Sequence, residues 1–229
     1  LTDLMHFFFS GIMIRIGLYA IIFIALYMGN LLIPQTFRKW VENLPIWIQV
    51  VTVTLITDLG FYLSHRLMHS VPFLWNFHAV HHSSEQLDWL AAFRVHPIDQ
   101  VIVKGSSLLP VFALGFSTFS IAIAGFIYQW QALLIHSNIN LKLPFVKWFL
   151  ATPDFHHWHH SKEEHTHNKN YAGQLPFWDI IFGTANMQSH LPETYGINEK
   201  MPQSYLKQLL YPFLLFNKKN TSEVLSRKS

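Results

Sequence analysis

Histidine is the residue type that stands out in this chain of 229 residues, with 15 copies against 13 aspartates and glutamates together. Thirteen of the 15 lie between His65 and His167, and only His6 and His190 fall outside. Three groups have ordered spacing: His65-Arg66-Leu67-Met68-His69, His78-Ala79-Val80-His81-His82 and His156-His157-Trp158-His159-His160. On a helix, residues at i, i+3 and i+4 share a face about one turn apart. His65 and His69 therefore point the same way, as do His78, His81 and His82, and His156, His159 and His160. Imidazole nitrogen binds a metal at about 2.0–2.1 Å, so two rings one turn apart can share an ion or reach toward a neighbouring one. Eight such donors exceed the needs of one ion and suit two. His136, at the end of an apolar stretch, is the ninth candidate. His96, in Arg94-Val95-His96-Pro97, is a lesser one. His157 lies off the face of its neighbours, and His165 and His167 fall in a polar loop beside Glu163 and Glu164.

Metal-bound histidines usually donate their second ring N–H to a carboxylate or carbonyl, which fixes the tautomer. Asp58 is the leading candidate for that role. It lies seven residues before His65 on the same helical face, and an acid inside an apolar stretch is functional by default. Asp88, Asp154 and Asp179 are further candidates, and Asn138 is placed to hydrogen-bond a metal-bound water. Thr152-Pro153-Asp154 reads as a helix start, with a capping residue, a proline at the first helical position and an acid in the first turn.

Positioning so many imidazoles needs a scaffold, and the composition says which kind. The chain is 51% hydrophobic and only 13% charged, where soluble domains carry about 25% charge. That deficit points to lipid. Four apolar stretches can each supply the roughly 20 residues of a membrane helix. One runs from about His6 to Leu32 and includes Arg15; the second runs from about Ile46 to His65. The third and fourth share Ile98 to His136, with a break expected at Gly115-Phe116-Ser117-Thr118. Such a hairpin returns the chain to the side it left, so 65–97 and 137–229 share one membrane face, along with the N-terminus. Ten of the 16 Lys and Arg lie after residue 140, which makes that face cytoplasmic under the positive-inside rule.

The expected fold is all-α: a multi-pass membrane protein with about four transmembrane helices and a cytosolic, histidine-rich helical cap. It reads as one domain over 1–229, with a catalytic core at about 46–186 and a peripheral tail at 187–229. In the tail, Tyr205, Leu206, Leu209, Leu210, Phe213 and Leu214 form a helical apolar pattern suited to the membrane surface. The N-terminal stretch lacks the basic start and cleavage site of a signal peptide, and an opening Leu1 is what a truncated chain would show.

With its boxes in this order, the chain resembles the fatty acid hydroxylase and sterol desaturase superfamily. The likeness rests on His65-Arg66-x-x-His69, His78-x-x-His81-His82 and His156-x-x-His159-His160. Trp75-Asn76-Phe77, Arg94-x-His96-Pro97, His136-Ser137-Asn138 and Trp178-Asp179-x-x-Phe182-Gly183-Thr184 extend it over roughly Ile56 to Thr184. Asn170-Tyr171-Ala172-Gly173 departs from the more usual Asn-Tyr-Gly run, which puts one local turn in question. The resemblance implies two iron ions, molecular oxygen as oxidant, and a fatty acyl, sterol or alkylglycerol lipid as substrate. It implies hydroxylation or desaturation in a bacterial inner membrane or the endoplasmic reticulum, with the site on the cytoplasmic side. It also implies a separate electron-donor protein of cytochrome or ferredoxin–reductase type.

Other classes have less support. The chain has no cysteine, so disulfides, thiolate zinc sites and iron–sulfur clusters are excluded. Neither a nucleophilic triad nor a phosphate-binding glycine loop is visible. A net charge of +3 without an aromatic–basic stripe gives no case for nucleic acid. The competing reading is a membrane metal transporter or metal-binding protein, whose ligands should line a path at mid-membrane with carboxylates. A catalytically inactive, lipid-binding relative is a further alternative.

Overall fold

The computed structural model describes residues 1–141, 143–188 and 190–226, with side chains through Leu215. Among them the fold is helical throughout, with one isolated bridge, Ser161 to Tyr195, in place of any sheet. Helix α1 spans Thr2–Leu32, and short α2 spans Gln35–Glu42. Helices α3 (Ile46–Ser70), α4 (Pro72–His82), α5 (Pro97–Leu114) and α6 (Thr118–His136) follow. The cap adds α7 (Pro153–His159) and α8 (Phe177–Ile181), and α9 (Tyr205–Ser226) closes the chain.

Three helices, α1, α3 and α6, are long and apolar enough to cross a membrane. Helix α5 corresponds to the expected third crossing but falls outside that set. Asp99, Gln100 and Lys104 lower the hydropathy of its first two turns. Its 18 residues still reach about 27 Å, and it packs between α1 and α3. Close approach is built in: a Cβ on Gly60 of α3 would sit 2.9 Å from Ser107 Cα of α5, so only glycine lets the two backbones meet there. On the outer side of α1, Ile16, Tyr19, Phe23, Tyr27 and Leu31 are 62–72% exposed. Their spacing of three and four residues makes one continuous apolar stripe.

The break between α5 and α6 falls where the sequence places it. Gly115 ends α5 in the left-handed region at φ 87°, which glycine adopts without a steric penalty. Ser117 then caps α6 by accepting from the Ser120 N–H. Gln49 Oε1 accepts from Ser117 N and Ser120 Oγ at 3.0 and 3.1 Å, tying this turn to the start of α3. At the opposite end lie His65, His69 and His136, so α3, α5 and α6 run alternately. Helix α1 starts at that end too. Asp3 pairs with Arg94, and Thr2 Oγ1 donates to the Gln203 carbonyl at 2.7 Å. The tail divides its apolar pattern: Tyr205 and Tyr211 are buried, while Leu206, Leu210, Phe213 and Leu214 face outward. Tyr211 packs with Ala79 and Val80 of α4.

Candidate metal centre

All nine candidate ligands converge, in two groups. His65, His69, His78, His82 and His159 form one; His81, His136, His156 and His160 form the other. Within each group the ligating atoms lie within 4.8 Å of one another. The first box serves one group, while the second and third boxes are each divided between the two. Residues at i+4 stay together (His65 with His69, His78 with His82, His156 with His160), while the residue at i+3 crosses to the other group. Helix geometry explains the division. At about 100° per residue, i+3 lies roughly 60° to one side of residue i and i+4 roughly 40° to the other.

Three of the five rings in the first group are held by fixed acceptors. His65 Nδ1 donates to the Tyr171 carbonyl at 2.7 Å, His159 Nδ1 to the Lys169 carbonyl at 2.8 Å, and His78 Nδ1 to Asp99 Oδ1 at 3.2 Å. A carbonyl only accepts, so Nδ1 carries the hydrogen, and in a neutral ring Nε2 then carries a lone pair. Those lone pairs face one another: His65 Nε2 is 2.9 Å from His78 Nε2 and 3.0 Å from His159 Nε2. In the second group, His81 Nδ1 donates to the Arg94 carbonyl and His136 Nδ1 to the Ala132 carbonyl, leaving their Nε2 atoms 3.3 Å apart. His156 Nε2 lies 3.1 Å from the Nε2 atoms of both His136 and His160. Opposed lone pairs at this distance repel unless a cation lies between them. Ligands at right angles around an ion bound at about 2.1 Å would stand about 3.0 Å apart. The donor set therefore fits a metal in each group.

Ligation demands the neutral form of the ring. Burial, then neighbouring imidazoles, holds His81, His82, His156 and His160 well below the ordinary histidine value. Burial holds His159 down at about 3.

The supporting residues differ from expectation. Asp58 touches no histidine: it accepts from the backbone N–H groups of Gln174 and Leu175 at 2.9 and 2.8 Å. Seven residues of helix span about 10 Å, too far for its carboxylate to reach His65. It fixes instead the segment whose Tyr171 carbonyl orients that ring. Asp179 fixes the same segment, accepting from Tyr171 N, Ala172 N and Thr184 Oγ1. The carboxylate that does meet a candidate ligand is Asp99, which the sequence reading passed over. Its signal was the one used for Asp58, an acid in an apolar stretch. Asn138 is exposed, away from the buried rings. His96 spends both nitrogens on structure: Nδ1 caps α5 by accepting from Ile98 N, and Nε2 donates to the Leu209 carbonyl. His157 meets Tyr195 Oη and the Ser137 carbonyl. Asp88 caps a short turn at Trp89–Phe93, and Asp154 accepts from Thr152 Oγ1. His165 stands near Glu163 on the surface, at 3.7 Å.

Two spaces adjoin the centre. A polar cleft of about 340 Å³ reaches His69, His82 and His159 of the first group, past Lys162, His167 and Glu199. A small chamber of about 30 Å³ touches both groups, at His65 and His78 and at His81, His136 and His156. That is room for little more than a water-sized molecule. Phe61, Val103, Tyr128 and Ile135 form its apolar wall.

Comparison with known proteins agrees with this centre. The fatty acid hydroxylase family model matches residues 50–184, which contain all nine histidines. An ornithine lipid hydroxylase of Rhizobium tropici is 32% identical over 82% of this chain. An alkylglycerol monooxygenase of Xenopus tropicalis is 34% identical over 56%, and a very-long-chain aldehyde decarbonylase of Oryza sativa subsp. indica 25% over 65%. The matches cover 56%, 28% and 26% of those proteins, respectively, so this chain corresponds to part of each. No solved structure matches.

Proposed function

The chain belongs to the fatty acid hydroxylase family, and from that premise we propose that it is a membrane-bound, non-haem di-iron oxygenase that hydroxylates or desaturates a lipid. The facing Nε2 lone pairs carry this reading, because two buried sets of neutral imidazoles need cations between them. His65, His69, His78, His82 and His159 would hold one iron, and His81, His136, His156 and His160 the other. Imidazole suits iron, and donor sets of five and four leave octahedral positions open. Two bound irons would supply the redox capacity to activate O2 against an unactivated C–H bond.

The chain's own groups do the remaining work. Carbonyls of Tyr171, Lys169, Arg94 and Ala132 keep hydrogen on Nδ1 and lone pairs on Nε2. Asp99 orients His78. Phe61, Val103 and Ile135 keep bulk water from the small chamber. Two relatives, an ornithine lipid hydroxylase and an alkylglycerol monooxygenase, support by their names a substrate with a long aliphatic chain. Electrons come from a separate donor protein. Helix α5 would complete four crossings with α1, α3 and α6, and the excess of Lys and Arg after residue 140 supports a centre on the cytoplasmic side.

Purified protein should contain two irons per chain. Membranes supplied with O2 and a reductant should gain a lipid heavier by one oxygen or lighter by two hydrogens. A preparation that oxidises lipid at full rate without metal overturns the reading.

A further inference from the structure

An apolar cavity of about 200 Å³ lies between α3, α5 and α6. It is larger than an engineered cavity of about 150 Å³ that holds benzene. Its floor on α3 is Val53, Thr57 and Phe61, at intervals of four residues. The next residue in that row is His65 of the first histidine group. On α6 the row is Ile121, Gly125 and Tyr128, then Ala132 and His136. Two helices thus run one face each from the cavity to the metal ligands.

The cavity is more apolar than its residue types suggest. Thr57 Oγ1 turns back to the Val53 carbonyl at 2.7 Å, and Ser107 Oγ to the Val103 carbonyl at 3.0 Å. Only Phe61 and Tyr128 line both this cavity and the small chamber. Their rings meet edge to face, centroids 5.8 Å apart. Each ring is held from behind. The Phe61 ring lies 5.0 Å from that of His65, and a Cβ on Gly173 would come within 3.1 Å of Phe61 Cε1. Lys104 Nζ lies 6.0 Å from the Tyr128 ring centroid, at cation–π range.

We propose that Phe61 and Tyr128 form the aperture through which the alkyl chain of a lipid passes from the interhelical cavity into the metal chamber. Their separation sets how far the chain enters, and so which carbon is presented. The occupant is an unbranched alkyl chain, because the cavity is mostly apolar, with Lys104 and Gln129 its remaining polar lining residues, and shares Phe61 and Tyr128 with a chamber too small for anything broader. The word "presented" rests on the oxygenase reading; passage of a chain does not.

The experiment reads passage without turnover. A photoreactive alkyl diazirine is added to the detergent-purified full chain, with and without loaded iron. Labelled residues are then mapped by peptide mass spectrometry. In the wild type, label should appear at Leu108 and Phe61, besides the outward-facing Phe23 and Phe126. A smaller share should reach Val103 and Ala132 beyond the aperture, and Phe61→Ala should raise that share several-fold. Gly125→Leu should abolish interior labelling while Phe23 labelling and metal content stay at wild-type levels, since a Cβ at Gly125 meets nothing within 4 Å. With turnover restored, Phe61→Ala should move the oxidised position along the chain. Label that never passes the aperture in Phe61→Ala, or survives Gly125→Leu, overturns the proposal. The labelling outcome stands even if no oxidised lipid is found, which would count against the oxygenase reading alone.

Discussion

The five-histidine and four-histidine groups are neighbours that share α4 and α7, with α3 completing the first and α6 the second, yet they are built differently. The first has three rings locked by outer acceptors, one of them the Asp99 carboxylate, and it opens on the polar cleft. The second has two rings locked by carbonyls, while His156 Nδ1 and His160 Nδ1 are buried without a hydrogen-bond partner. Three of its four members line the small apolar chamber. On the function proposed above, this is a division between a braced site and a leaner, reactive one. Saturation and outer hydrogen bonds favour holding a metal. Fewer donors and an apolar approach favour exchange of ligands at it.

Mutation of one ligand on each side should break the comparison open. His160→Ala reduces the second group from four donors to three, and metal content should fall from two per chain toward one, with turnover abolished. His69→Ala reduces the first from five to four, and both metals should remain. Elemental analysis distinguishes the two, and equal losses would erase the asymmetry. Asp99→Asn comes next. It should weaken metal binding in the first group by about 10- to 100-fold in chelator competition, the usual effect of removing such a partner, and leave the second unchanged.

Acidification should act on both groups. A histidine whose folded value is depressed binds its proton more readily when unfolded, so the unfolded state gains from acid. Stability is complete above the unfolded value of about 6.5. It falls as pH drops toward the folded values, about 3 for His159 of the first group and well below the ordinary histidine value for His156 and His160 of the second. The melting temperature of metal-free protein should be level above neutral pH and fall steadily below it. A melting temperature that rises on acidification would contradict neutral burial.

The smallest effect is expected from Asp58→Asn. It removes one of two accepted backbone hydrogen bonds, for a cost of about 1–3 kcal/mol. The melting temperature should drop with both metals retained. A large loss of metal from the first group would instead mean that the Tyr171 carbonyl cannot hold His65 unaided.

The sequence carried the ligands further than their partners. Spacing by three and four was enough to mark eight of the nine converging histidines, because helix periodicity is local, and His136 was marked by its place at the end of an apolar stretch. The division of the second and third boxes between groups depends on where the facing helices stand, which is not local. Asp58 illustrates the same limit. Its face was readable, but the loop at 171–175 that takes its oxygens arrives from 116 residues away. His96 and His157 sit in or beside the motifs and yet are consumed by Leu209 and Tyr195, which nothing nearby in sequence announces. The helical fold and the Gly115 turn were readable from apolar run length and turn chemistry. Helix α5 was the marginal element, since polar residues at its histidine end, Asp99 among them, are what lower its hydropathy.

The interleaving of the boxes also orders events in time. His159 closes the first group from 94 residues beyond His65, and His160 closes the second one position later. As the chain is synthesised, α3, α4 and α6 all emerge before either group has its full set of donors. A single short helix, α7, then completes both within two consecutive residues. Until it docks, the growing chain offers only partial sets, so on the function proposed above α7 would be the final pin that completes both donor sets, after the membrane-facing helices have been made.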